Sequence, residues 1–244
     1  MKVTACVVSW NTAEHLPGVL SSLGAQTHPD VEIVVIDNAS ADGSAAIARC
    51  HTDVRVVANA QNRGFAGAAN QGVALACANG SDAFLVCNPD VVLEPYYVER
   101  AVKALGDGER RASVQGKLWR TGPGGDLLGE AGALAPAAGG DLDAPRLLDT
   151  TGHLAFATRL FRNRGEGTVD VGQFDEPGPV FGVCGCAALY RLDALQDVAV
   201  EGEVFDEDLF AFWEDVDLDW RLALRGFHAW YTPDACGWHE RGGA

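Results

Sequence analysis

Apolar and polar positions alternate in blocks through the first hundred residues. Val3 to Ser9 is a nearly unbroken apolar run, the pattern of a strand buried on both faces. Leu16, Leu20 and Leu23 follow at helical spacing, with Thr12 as the predicted N-cap. Val31 to Ile36 predicts a second strand, stopping at Asp37, and Asp42 is placed to cap a helix running toward Cys50. Val54 to Ala58, a helix over Ala66 to Ala78 and a strand over Ala83 to Cys87 complete the series. Strands alternating with helices predict parallel pairing through right-handed crossovers, an α/β fold.

The second half reads differently. Gly, Pro and Ala dominate from Thr121 to Pro145, which predicts long loops with room for a hairpin. Val180 to Arg191 returns to a small-residue strand, and Glu214 to Arg225 reads as a helix. Acids crowd that helix's first half, Arg221 and Arg225 its last turns, and Gly226 follows as its stop. His228 to Tyr231 predicts a final strand. With no internal repeat, linker or low-complexity tail, residues 1–244 are expected to form one domain.

Ligands of parallel α/β sheets bind outside the carboxyl ends of the strands. The polar clusters sit at those ends: Ser9 and Asn11, Asp37 and Asn38, Asn62 and Arg63, Asn88 and Asp90. Loops are polar in any case, but the alternation brings all four clusters to one rim.

Charge narrows the partners. A formal net charge of −16 argues against sequence-independent nucleic-acid binding and against docking on anionic lipid through a general basic patch. No apolar run approaches the roughly 20 residues that span a bilayer, and the N-terminus does not read as a secretory signal. Seven cysteines in apolar context are expected as reduced thiols of a cytoplasmic protein. In a strand, Cys184 and Cys186 would share one face, and they read as small core residues rather than a metal or redox pair.

Each candidate residue has a plain reading beside the chemical one. Asn88-Pro89-Asp90 is either a turn closing a strand or a ligand for a hard divalent cation, which takes carboxylate oxygens together with substrate phosphates. Asp37 either caps the turn through Ser40 or accepts from a base or ribose. Arg63 beside Gly64 suits a diphosphate, with Gly64 and Gly67 letting backbone approach the ligand. Glu214-Asp215 follows the run Leu209 to Trp213; acids suit a helix start, but a carboxylate against aromatic walls is also poised as a general base. Asp217 and Arg221 read as an ordinary helix pair. His239 alone reads as a surface histidine; near Asp90 it would complete a metal site. Neither a dinucleotide fingerprint nor a P-loop occurs.

The segments VVSWN, VVIDNASADGS, NRGFAGAANQG, CNPDVVLEP, FDEDLFAFWEDVDLDWRL and YTPDACGWHERG occur in that order. Together they resemble the family 2 glycosyltransferases, in particular bacterial rhamnosyltransferase-like members. The resemblance implies a GT-A fold, a Rossmann-like nucleotide-binding half (1–105) fused to an acceptor and catalytic-base half (106–244) around one mostly parallel sheet. It implies inverting transfer from a nucleotide-diphosphate sugar (dTDP- or UDP-linked, with dTDP-rhamnose a candidate), assisted by Mg2+ or Mn2+. The acceptor would be a carbohydrate or lipid-linked precursor of a polysaccharide or glycolipid, with no nucleic acid and no transmembrane segment, and with peripheral membrane contact left open. By motif, Ser9, Asn11, Asp37, Asn38, Arg63, Gly64, Asn70 and Asn88 would line the donor site. Asp90 and His239 would hold the metal, with Asn88 standing where the family carries the first acid of Asp-X-Asp. Asp215 would be the base, with Trp213 and Glu214 on the acceptor side. The alternatives are a catalytically silent nucleotide-sugar-binding protein of the same fold and a sugar nucleotidyltransferase. The latter should carry a glycine- and lysine-rich loop where SWNTAEH stands.

Overall fold

The computed structural model describes residues 1–121 and 146–240. Their elements run β1 (Val3–Ser9), α1 (Leu16–Gly24), β2 (Val31–Asp37), α2 (Ser44–Arg49), β3 (Val54–Ala58), α3 (Gly64–Ala78), β4 (Ala83–Cys87), β5 (Val91–Leu93), α4 (Tyr97–Gly106) and β6 (Arg111–Thr121). They continue with β7 (Leu148–Thr150), β8 (His153–Ala155), β9 (Phe161–Asn163), β10 (Gly178–Val180), β11 (Ala187–Arg191), α5 (Leu192–Asp197), α6 (Glu214–Leu224) and β12 (His228–Glu240). The Gly-, Pro- and Ala-rich stretch 122–145 lies outside the described residues, as do 241–244.

A ten-stranded mixed sheet carries the molecule, in the order β10-β12-β6-β11-β4-β1-β2-β3, with β5 on β12 and β7 on β6. The run β4-β1-β2-β3 is parallel, as the alternation predicts, and β12 lies parallel to β6. Strand β11 joins these groups, antiparallel to both β4 and β6.

Period-two alternation on buried strands builds a core on each face. Val3, Ala5 and Val7 of β1 pack with Leu16, Val19 and Leu20 of α1 and with Tyr97 and Val98 of α4. Cys6 and Val8 face the other way, toward Ala66 and Ala69 of α3, Leu195 of α5 and Leu218 of α6. This two-sided burial is why the strands read as continuous apolar runs.

Three predicted elements change. Thr12 does not cap α1; it opens a turn before the helix, its carbonyl accepting from His15 and Leu16 and its hydroxyl pairing with that of Ser9. The strand expected over Val180 to Arg191 is split, because the amides of residues 183–185 turn to the side chains of Asp219, Gln115 and Asp215 instead of a neighbouring strand. The last strand runs on to Glu240, and this extension carries His239 into the interior.

Candidate active site

The parallel register sets the first rim. Ser9 pairs with Asp37, and Asp37 with Ala58, so the three strand ends lie level. Asn38 organises the loops beyond them: its Nδ2 donates to the Gly64 carbonyl (2.8 Å), and its Oδ1 accepts from Asn59 Nδ2 (2.9 Å). Asp37 is 2% exposed; its Oδ2 accepts from the Ser40 amide, the predicted turn cap, while Oδ1 has no hydrogen-bond partner among the described residues. One buried carboxylate oxygen is therefore left for an N–H or O–H donor of a ligand. Asn11 sits at positive φ and accepts from the Ala41 amide.

Three residues expected at the donor diphosphate or nearby do other work. Asn70 is fully engaged, its amide donating to the Phe205 carbonyl and to Glu207, and its oxygen accepting from the amides of Val204 and Phe205. Arg63 pairs with Glu207 at 3.2 Å. A Cβ on Gly64 would overlap the Phe210 carbonyl, so what this glycine admits is the Phe210 loop. Together these contacts staple the segment leading into α6 onto the start of α3.

At the end of β4 the chain turns through Asn88 and Pro89 into β5, which lies antiparallel to the end of β12, Val91 opposite His239. That pairing brings Asp90 and His239 together, with His239 Nε2 3.3 Å from Asp90 Oδ1. His239 Nδ1 is 2.8 Å from Asp149 Oδ2, a carboxylate with no exposed surface. Burial opposes protonation of His239, but the bonds to Asp149 and Asp90 outweigh it and raise its pKa to about 10.

These residues fit a hard divalent cation. Asp90 Oδ1 is buried and faces His239 Nε2 at 3.3 Å, an imidazole nitrogen oriented by the Asp149 carboxylate behind it. Asn88 does not add a second charge; its backbone amide donates to the Cys186 carbonyl at 2.8 Å.

A second cluster lies one residue away along the chain. The Gly185 amide donates to Asp215 Oδ2 at 2.9 Å. His153 Nε2 stands 3.7 Å from the same oxygen, and His153 Nδ1 is 2.8 Å from Asp219 Oδ2. Asp219 is 2% exposed and also accepts from the Val183 amide. Burial raises Asp219 to about 7 despite His153 beside it, while His153 itself, disfavoured by burial, is lifted to about 11 by Asp219 and Cys184. Glu214 is 6% exposed, with no hydrogen-bond partner for Oε2 among the described residues, and desolvation followed by the Asp215 charge pushes it up to about 7.

The aromatic residues expected to wall Asp215 are themselves largely exposed. Phe210, Phe212 and Trp213 are 53%, 80% and 57% exposed, and all three sit at positive φ, a costly conformation for bulky side chains. Backbone strain is thus concentrated where α6 begins with Glu214 and Asp215.

Sequence reasoning passed over Asp149, His153 and Asp219. None stands at a strand end of the first half: the pairing of β7 on β6 brings Asp149 inward, the bridge to Gly182 brings His153, and Asp219 comes from the buried face of α6, one turn past Asp215. Cys184 and Cys186 do pack against the core, yet they also border the two acid–histidine clusters. Contact with Cys186, then with His153, lowers the Cys184 thiol despite its burial, and Cys186 is raised correspondingly.

The chain is similar to known proteins in sequence and in fold. The model of the family described as glycosyl transferase family 2 matches residues 4–199. An N-acetylglucosaminyl-diphospho-decaprenol L-rhamnosyltransferase of Mycobacterium tuberculosis is 30% identical over 247 residues, covering 96% of this chain and 74% of the relative. Among solved structures, a Pyrobaculum calidifontis mannosyltransferase in complex with GDP-Man and Mn2+ superposes with a TM-score of 0.63 at 17% identity, over 99% of this chain. GalNAc-T7 with UDP, GalNAc and Mn2+ gives a TM-score of 0.70 at 14% identity, over 98% of this chain. The chain spans 58% of the length of the first solved protein and 44% of the second. At these identities the structures speak for the GT-A fold alone.

Proposed function

The chain belongs to glycosyl transferase family 2, and from that premise we propose that it is an inverting transferase using a dTDP- or UDP-linked sugar, with dTDP-rhamnose the leading candidate. We assign Asp215 as the base and Asp90 with His239 as the metal-holding pair. The observation that carries this reading is one short segment touching both ends of the reaction. Asn88 donates to the Cys186 carbonyl, and Gly185 donates to the Asp215 carboxylate, at 2.8 Å and 2.9 Å. The backbone two residues before Asp90 and the Asp215 carboxylate, more than a hundred residues apart, are thereby tied to adjacent residues of one loop.

Inverting displacement at an anomeric carbon needs a base on the acceptor side and stabilisation of the departing diphosphate. Asp215 Oδ2 would take the acceptor hydroxyl proton, oriented by the Gly185 amide and flanked by His153. Mg2+ or Mn2+, when bound at Asp90 and His239, supplies charge neutralisation to the diphosphate. Asp37 Oδ1 would accept from the base, with Asn38 holding the surrounding loops; Ser9, Asn11 and Asn88 would shape the rest of the donor pocket. Trp213, exposed at the start of α6, would face the acceptor. Residues 1–105 would form the donor half and 106–244 the acceptor half of a single domain, a division supported by the shared sheet. The acceptor class is a carbohydrate or lipid-linked precursor. No helix among the described residues is long and apolar enough to cross a membrane. We infer a cytoplasmic location, with a lipid-linked acceptor met at the membrane surface.

Native-state binding raises apparent stability by mass action. A panel of nucleotide-diphosphate sugars, each with and without Mn2+, should raise the melting temperature for one base and sugar above the rest, and more with the metal. A flat response across the panel would contradict the reading.

A further inference from the structure

A ring nitrogen of His153, Cys184 Sγ and a carboxylate oxygen of Asp215 lie within 4.8 Å of one another. Nitrogen, sulfur and oxygen donors in one cluster are the mixed set that favours a borderline-soft cation over Mg2+ or Ca2+. Three bonds of about 2.0 to 2.3 Å meeting near tetrahedral angles put their donor atoms roughly 3.3 to 3.8 Å apart. The 3.7 Å separation of His153 Nε2 and Asp215 Oδ2 is within a few tenths of an ångström of the value for a nitrogen–oxygen pair. The histidine is also oriented as a zinc-bound histidine is, its far nitrogen 2.8 Å from the Asp219 carboxylate. A Cβ at Gly182 would overlap that carboxylate, so the backbone is shaped to hold Asp219 in place.

We propose that His153, Cys184 and Asp215 form a second metal site, selective for Zn2+ or a similar soft divalent ion and separate from the Asp90–His239 pair. Binding displaces the protons of Cys184 Sγ and His153 Nε2, while His153 Nδ1–H stays donated to Asp219. The incoming charge is compensated by Asp215, by the thiolate and by the buried acids Glu214 and Asp219. The fourth position is left for water. If Asp215 is the base, as proposed above, Zn2+ occupying its Oδ2 inhibits transfer; the binding itself does not depend on that assignment. Asp149, Cys186 and His239 form another compact donor set, but it shares His239 with Asp90 and is part of the site already described.

Co2+ tests the site without an activity assay, because thiolate coordination gives a charge-transfer absorption that oxygen and nitrogen ligands do not. Titration of the reduced full-length chain should yield that band at one cobalt per chain, reversed by Zn2+. The band should persist in Asp90→Ala and disappear in Cys184→Ser, with binding at least tenfold weaker in His153→Gln. Circular dichroism checks that each variant is folded; should one unfold, the other carries the comparison. Absence of the band from the wild-type chain overturns the proposal. So does a band that survives Cys184→Ser, or one abolished by Cys186→Ser but not by Cys184→Ser.

Discussion

Two buried histidines, each backed by an aspartate, divide the site. His239 turns one nitrogen to Asp149 and the other to the buried Oδ1 of Asp90, at 2.8 Å and 3.3 Å. If this pair holds the metal, Asp90→Ala should bring the Mn2+-dependent gain in nucleoside-diphosphate affinity close to nothing in calorimetric titration, while metal-free binding stays within about threefold. An unchanged metal response would remove Asp90 from the ligand set. Glu214 makes a different prediction. Burial holds its pKa near 7 against 4.5 for the free side chain. Between those pH values the folded chain keeps a proton that the unfolded chain has released. Stability from this group is therefore present below pH 4.5 and lost as pH rises through about 7. Glu214→Gln should gain on the wild type by at most about 3 kcal/mol between pH 4.5 and 8, read from urea midpoints at the two values. Parallel pH dependence in the two proteins would show that Glu214 is not the buried acid assigned here. Asp90 and Asp215 stood out in the sequence because each follows an apolar run. Asp149, His153 and Asp219 did not, because their partners lie far away in the chain.

At the scale of elements, the site depends on a loop that is not a strand. Residues 181–186 separate β10 from β11, and their amides bond to Asp219, Gln115 and Asp215. Gly182 sits against Asp219 with no room for a methyl group. Gly182→Ala should therefore push Asp219 off the Val183 amide and off His153, costing about 3 kcal/mol or more. For a chain of this size that corresponds to a melting temperature lower by roughly 6 to 12 °C. A melting temperature within about 2 °C of wild type would mean the Asp219 anchor is dispensable. Strands β1 to β4 were legible in the sequence almost to the residue: β1, β2 and β4 because burial on both faces forces unbroken apolar runs that stop at polar rims, and the half-buried edge strand β3 from its valines. The 181–186 loop was not legible. Its small residues look like a strand, and only distant side chains reveal where its backbone hydrogen bonds go. For the same reason β12 appeared short: Pro233 and Gly237 interrupt its apolar pattern, while pairing with β5 and β6 carries it to Glu240.

At the scale of the whole molecule, one sheet runs from the nucleotide-type strands through β11 to β6 and β12. The segment from Val204 to Phe210 is stapled to α3 by Asn70, Arg63 and the close approach at Gly64. The start of α3 and the segment leading into α6 are thereby mechanically joined, and Asn70, Arg63 and Gly64, which motif position suggests for sugar-nucleotide contact, make this connection. The order of motifs along the chain made the family legible, but not the division of labour among those residues, which depends on contacts across more than a hundred positions. The central claim is that Asp215, from the second half, acts as base on a donor held by the first. It is tested most directly by measuring donor binding and sugar transfer side by side in Asp215→Asn. Transfer should fall by about 10²- to 10⁴-fold, the usual cost of losing a general base, with donor affinity within about threefold of wild type. Transfer at the wild-type rate, or an equal loss of binding and transfer in a folded variant, would contradict the account.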